Sequence, residues 1–261
     1  MSDTLVKNPW QSLRQFTNAR IALGRAGSGM PTEPLLAFNL AHAQARDAVH
    51  HPLDVDALRA RLADAGFANV VDVHSAAPDR AHYLRRPDLG RRLADESRAL
   101  LDATCARDHD VLFVIADGLS AFAASKQAVP FLQAILSRLD DWNIGPVVIA
   151  RQGRVALADE IGEVMRARIV VMLIGERPGL SSPDSLGIYV TYAPAVGRSD
   201  AERNCISNVR PEGLNHDAAA YKLHYLLTHA RRLGLTGVAL KDDSDAAIAA
   251  KEPLTSIACH A

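Results

Sequence analysis

Apolar residues follow two different spacings along this chain. Up to about residue 66 the spacing is helical and broken by turns. LDVDALRARLADAG (53–66) places Val55, Leu58, Leu62 and Ala65 on one helical face, and Gly66 suits its stop. NARIAL (18–23) also reads as helix and runs into the turn-rich GRAGSGMPTEP (24–34). From about residue 67, strands and helices alternate. FANVVDVH (67–74) predicts a strand, and 88–104 a helix with Leu93, Leu100 and Leu101 on one face. VLFVIA (111–116) is apolar at every position and ends in Asp-Gly, as a buried parallel strand would.

The same alternation continues to the last clear element. Leu132, Ile135, Leu136 and Leu139 mark a helix, PVVIA (146–150) a strand, and Leu157, Ile161, Val164 and Met165 another helix. IVVMLI (169–174) and IYVTYA (188–193) predict strands, and Leu223, Leu226, Leu227 and Ala230 a final helix stopped by Gly234. The pattern predicts an α/β fold: a mainly parallel, Rossmann-like sheet with helices on both faces over 67–261, preceded by a helical region over 1–66. Ligands of such sheets bind at the carboxyl ends of the strands. That puts DGLS (117–120), RQGRV (151–155) and GERPG (175–179) at the functional edge.

Composition narrows the class. The chain has 261 residues, 48% hydrophobic and 23% charged, so it is neither disordered nor fibrous. Lys+Arg 29 against Asp+Glu 30 argues against nucleic acid as a partner, and 5% aromatic residues argue against a base-stacking surface. No apolar run reaches the ~18 residues of a membrane span, and the N-terminus lacks a secretory core, so we expect an intracellular protein with no membrane partner. Three dispersed cysteines, Cys105, Cys205 and Cys259, form neither a disulfide framework nor a metal pair.

Few segments carry chemistry. GRAGSG (24–29) has the wrong spacing and context for a dinucleotide loop and lacks the Gly-Lys-Ser/Thr of a phosphate loop, so it reads as a turn. DVHSAA (72–77) is one glycine short of the Asp-x-His-x-x-Gly motif that supplies a cobalt-ligating histidine, so His74 reads as a strand-end residue. His50-His51 reads as solvated loop, and Cys259-His260 as terminal tail. Arg85, Arg86, Arg91 and Arg92 around Pro87 fit either a solvated helix face or a subunit interface. Glu176 of GERPG, at a strand's carboxyl end, is placed to accept hydrogen bonds from ligand amides, although a plain ion pair with Arg177 is the alternative. Cys205 reads from its surroundings only as a small core residue.

Taken in series, six segments resemble one family, the small (light) subunit of ethanolamine ammonia-lyase. They are LRQFTNARIALGRAG (13–27), LRRPDLGRRL (84–93), DGLS (117–120), GRVALADEIGE (153–163), GERPGL (175–180) and NCISN (204–208). The resemblance implies an adenosylcobalamin-dependent lyase that converts ethanolamine to acetaldehyde and ammonia by radical 1,2-migration. It implies a hetero-oligomer in which the large subunit receives ethanolamine and 1–66 contacts a partner. The corrinoid would lie between subunits, base-on, with no cobalt ligand from this chain. By motif, Val155 of GRVAL, Glu176 of GERPG and Cys205 of NCISN would contact the cobalamin. No catalytic residue and no metal ligand is expected here.

The family's longer N-terminal extension is missing, which points to the cytoplasm, with a bacterial microcompartment as the alternative. Two rival functions remain open. A nucleotide-binding oxidoreductase would need a glycine-rich loop after the first strand, where HSAAPDRAH has no glycine. A non-catalytic scaffold subunit would fit the arginine-rich segment and differ only in not touching the corrinoid.

Overall fold

The computed structural model describes residues 5–104 and 108–244. The readings placed on Cys105, Cys259 and His260 lie outside the described residues. The chain opens with a two-residue ladder, β1 (Leu5–Val6) against β2 (Arg25–Ala26), around a 3-10 helix over Pro9–Phe16. NARIAL is irregular rather than helical, with Ala22 at φ 51°. Two helices follow, α1 (Thr32–His50) and α2 (Val55–Asp64). The α2 start is fixed by Asp54, whose carboxylate accepts from the Ala57 amide at 2.9 Å.

The rest of the described chain is β3 (Val70–His74), α3 (Arg80–Arg85), α4 (Asp95–Thr104), β4 (Val111–Ala116), α5 (Ala121–Leu136), β5 (Val147–Arg151), α6 (Leu157–Val164), β6 (Ile169–Gly175), β7 (Leu186–Tyr192), β8 (Arg203–Val209) and α7 (His216–Leu233). The main sheet runs β3-β5-β4-β6-β7-β8. The first four strands in that order are mutually parallel, and β7 and β8 are antiparallel. The fold is therefore α/β with a mixed sheet, in which a parallel four-stranded part is extended by β7 and β8 in antiparallel pairing. The short connections β6–β7 and β7–β8 carry no crossover helix, and a parallel pairing would require one.

Both faces of the central strands are apolar, because both are covered. Phe113, Ile115, Ile149 and Leu173 point to the layer of α2, α5 and α7, where Leu58, Leu62, Phe131 and Leu223 meet them. Leu112, Val114, Val148 and Met172 point to the opposite layer, with Leu101 of α4 and Leu157 and Ile161 of α6. Crossover α5 leaves β4 toward one face and α6 leaves β5 toward the other. The carboxyl ends of these neighbouring strands thus form a topological switch point, where α/β sheets open a crevice.

The expected helix over 88–104 begins only at Asp95. Residues 92–94 are drawn out along the end of β3, where the Ala76 amide donates to Arg92 O (2.8 Å) and the Ala94 amide to His74 O (3.1 Å). Leu89–Arg91 makes a single 3-10 turn. Among the described residues, no helix is long and apolar enough to cross a membrane.

Candidate functional site

At the switch point, Asp117 ends β4 and is buried. Its carboxylate accepts from the backbone amides of Gln152 (3.0 Å) and Gly153 (3.1 Å), and from Arg80 Nη1 (3.4 Å). Asp117 thus ties the loop after β5 to the end of β4. Burial pushes its carboxyl pKa up, while Arg80 and the loop amides oppose that shift. Arg80 also donates to Val49 O and Gly118 O, both at 2.8 Å, joining α1 to the same edge. Gly118 has φ +53°, and a Cβ there would strike Gly175 O. Only glycine lets the ends of β4 and β6 approach this closely.

The loop after β5 rests on Tyr83, a fully buried side chain whose hydroxyl donates to Gly153 O at 3.0 Å. The guanidiniums of Arg80 and Arg154 lie 4.8 and 4.4 Å from the Tyr83 ring centroid. The Arg154 amide donates to Gly90 O at 2.8 Å. The arginine-rich segment thus carries a backbone support for this loop, while Arg86 pairs with its own neighbour Asp88 (2.9 and 2.7 Å). Val155, the next residue, is half-buried and packs on the apolar layer of α4 and α6.

Glu176 follows β6 and is half-buried. It does not depend on Arg177. Its carboxylate accepts from the hydroxyls of Ser185 and Ser207 (the latter at 2.7 Å) and from the Asn208 amide (3.3 and 3.4 Å). The Glu176 amide donates to Ser185 O at 3.0 Å. One carboxylate therefore staples the carboxyl end of β6 to the start of β7 and the end of β8.

Cys205 is exposed, which corrects its reading as a core residue. It stands opposite Tyr189 in the β7–β8 ladder. The reason is coverage: α6 reaches only the start of β8, where buried Asp159 pairs with buried Arg203. Beyond that pair Cys205, Ser207 and Asn208 are exposed and Tyr189 is half-buried. Crowding by neighbours pushes up the pKa of both the Cys205 thiol and the Tyr189 hydroxyl, and the Glu176 charge adds to both. Glu176 and Cys205 are linked through β8, where Ser207, two residues beyond Cys205, donates to the Glu176 carboxylate. Val155 shares with Tyr189 one apolar layer, and its link to Glu176 is a common sheet edge rather than a hydrogen bond.

His74 is a strand-end residue with both ring nitrogens engaged, Nδ1 with Ser75 O (2.7 Å) and Nε2 with Glu96 (3.1 Å). A separate cleft of about 620 Å³, lined by Arg14, Asn18, Arg20 and Leu23 among others, lies in the N-terminal segment. It adjoins the loop after Glu176, since Arg20 donates to Leu180 O at 3.1 Å. Sequence reasoning located DGLS at the right edge but missed Asp117 as the tie, and it missed Tyr83, Ser185 and Ser207 as supports. Strand-like alternation in RNCISNV, with Cys205 and Ser207 on one face, was the available signal.

The fold and this edge define an α/β protein with a braced switch point and a partly uncovered sheet face. Residues 7–241 match the family described as "Ethanolamine ammonia-lyase light chain (EutC)". The chain is 56% identical over 247 residues to the "Ethanolamine ammonia-lyase small subunit" of Ralstonia nicotianae, covering 93% of this chain and 91% of that one. It is 55% identical to the proteins of the same name from Azotobacter vinelandii and Pseudomonas fluorescens, over 92% of this chain and 91% and 88% of theirs. The chain belongs to the ethanolamine ammonia-lyase small-subunit family.

Proposed function

We propose that this chain is the small subunit of an adenosylcobalamin-dependent ethanolamine ammonia-lyase. The family membership carries this reading. Its partner is the large subunit, which receives ethanolamine, and the product pair is acetaldehyde and ammonia. The corrinoid, base-on, lies against the edge built by Val155, Glu176 and Cys205. When bound, it supplies the carbon radical that drives the 1,2-migration.

The residues at this edge fit such a cofactor. Glu176 is fixed by three donors, and a carboxylate has about four acceptor sites, so capacity remains for a corrin side-chain amide. Val155 offers an apolar surface for the benzimidazole. Cys205 and half-buried Tyr189 form a sheet patch that no helix covers among the described residues. Gln152 Oε1 and Arg154 Nε are buried beside Val155 without hydrogen-bond partners, as expected of an edge completed by something outside this chain. The parallel half of the sheet, with its switch point, supplies the Rossmann-like element of the reading.

In this assignment the chain orients the cofactor and keeps water away from it. It contributes no catalytic acid, base or substrate ligand, and no cobalt ligand. Residues 1–66 form the partner-contacting region and 67–261 the cobalamin-contacting domain. Exposed Trp10, Phe16, Leu36 and Leu40 support the first assignment, because a soluble chain rarely leaves so many large apolar side chains in one region. We place the enzyme in the cytoplasm, with encapsulation in a microcompartment as the alternative arrangement.

A visible-absorbance titration tests the assignment. Adenosylcobalamin is expected to bind the assembled pair of subunits more tightly than either subunit alone. Equal affinity of the large subunit with and without this chain would reduce the chain to a scaffold.

A further inference from the structure

Arg154 has an unusual combination of restraint and unspent charge. Its side chain is clamped: a Cβ on Gly90 would sit 2.9 Å from Arg154 Cγ, and the guanidinium lies 4.4 Å from the Tyr83 ring centroid. Its Nε is buried with no hydrogen-bond partner. Among the described residues, no carboxylate pairs with it. Arg80, on the same tyrosine, also has a buried unpartnered nitrogen, Nη2. The one carboxylate bound here, Asp117, is engaged by Arg80 and two loop amides. Two guanidiniums therefore stand beside one carboxylate, which Arg80 takes, leaving the Arg154 charge in excess beside Val155.

A rigid guanidinium with free donors is a recogniser of planar or tetrahedral anions. The backbone also holds it in place at some cost. Gln152, two residues earlier, has φ +56°, in the left-handed region that a non-glycine residue adopts only when its surroundings hold it there. Its amide donates to Asp117, and this sets the course of the loop to Arg154.

The geometry points to Arg154 as the residue that recognises the phosphodiester of the cobalamin nucleotide tail, an inference that rests on the cobalamin-contact reading of this edge. The phosphodiester is the one anionic group among the corrin's neutral amides. In the cofactor's covalent structure it adjoins the ribose that carries the benzimidazole. On this chain Arg154 adjoins Val155, the residue assigned to that base. The match is one of neighbouring chemistries on neighbouring residues.

The test compares two probes in the assembled two-subunit complex, adenosylcobinamide and adenosylcobinamide phosphate, which differ by the phosphate alone. In the wild-type complex the phosphate is expected to tighten binding about tenfold, as a charge-assisted hydrogen bond would. In Arg154→Gln that gain is expected to vanish, while the affinity for adenosylcobinamide stays at the wild-type value. Arg154→Lys, which keeps the charge without the fork, is expected to retain part of the gain. Its result decides the matter if Arg154→Gln does not assemble. An undiminished phosphate gain in either variant that assembles overturns the proposal. So does an equal loss of affinity for both probes. Failure of adenosylcobalamin itself to bind the wild-type complex overturns the underlying reading instead.

Discussion

Asp117→Ala is expected to destabilise the chain by about 3–5 kcal/mol, the usual cost of removing one partner of a buried ion pair. Asp117 is 3% exposed and the Arg80 side chain 15% exposed, so the remaining guanidinium keeps a charge away from water. The amides of Gln152 and Gly153 lose their acceptor at the same time. An unsatisfied buried donor adds its own desolvation cost. In a chain of this size the melting temperature should fall on the order of 10 °C, measured by calorimetry or circular dichroism. Asp117→Asn should cost most of that, because its amide group would face three donors with one acceptor oxygen. A variant that melts within a degree or two of wild type would remove Asp117 as the tie between the ends of β4 and β5.

The second large effect concerns ligand affinity rather than stability. Glu176→Ala is expected to weaken adenosylcobalamin binding to the assembled subunits by about 10- to 100-fold, the range for a lost charge-assisted hydrogen bond. Stability should change far less than for Asp117→Ala. Ser207 and Asn208 are exposed, so water can replace the carboxylate as their acceptor. Ser185→Ala should give a smaller loss of affinity in the same direction, since it removes one of three donors that aim the carboxylate. Unchanged affinity in Glu176→Ala, with assembly intact, would take Glu176 out of the cofactor surface.

The parts of the fold readable in the sequence are those whose environment is uniform. VLFVIA is legible because all six residues of β4 are fully buried between two helical layers. IVVMLI is legible for the same reason, and the helix around Leu223 and Leu227 because one face alone is apolar and buried. Strand β8 was harder to see. Its outer face is polar, with no helix over it among the described residues, and a register irregularity between Leu186 and Ile188 sets Ile206 and Val209 three residues apart on one face. Strict alternation fails there. The segment before α4 was misread because its backbone hydrogen bonds go to β3, a long-range pairing that local spacing does not encode.

The site divides along the same line. Glu176 and Val155 could be placed from topology alone, since both follow buried strands at the edge where ligands bind. Cys205 could not, because alternation in RNCISNV sets it on one face with Ser207 but does not say that, among the described residues, no helix covers that face. Its assignment came from family resemblance. The supports are the least legible: Tyr83 reaches Gly153 across 70 residues, and Ser207 reaches Glu176 across 31.

Reconstitution tests the central claim most directly. The purified chain is mixed with the large subunit, adenosylcobalamin and ethanolamine, and acetaldehyde is assayed with each component omitted in turn. The account predicts acetaldehyde only in the complete mixture, with none when this chain is left out. Full activity without this chain, or activity of this chain without the large subunit, would contradict it.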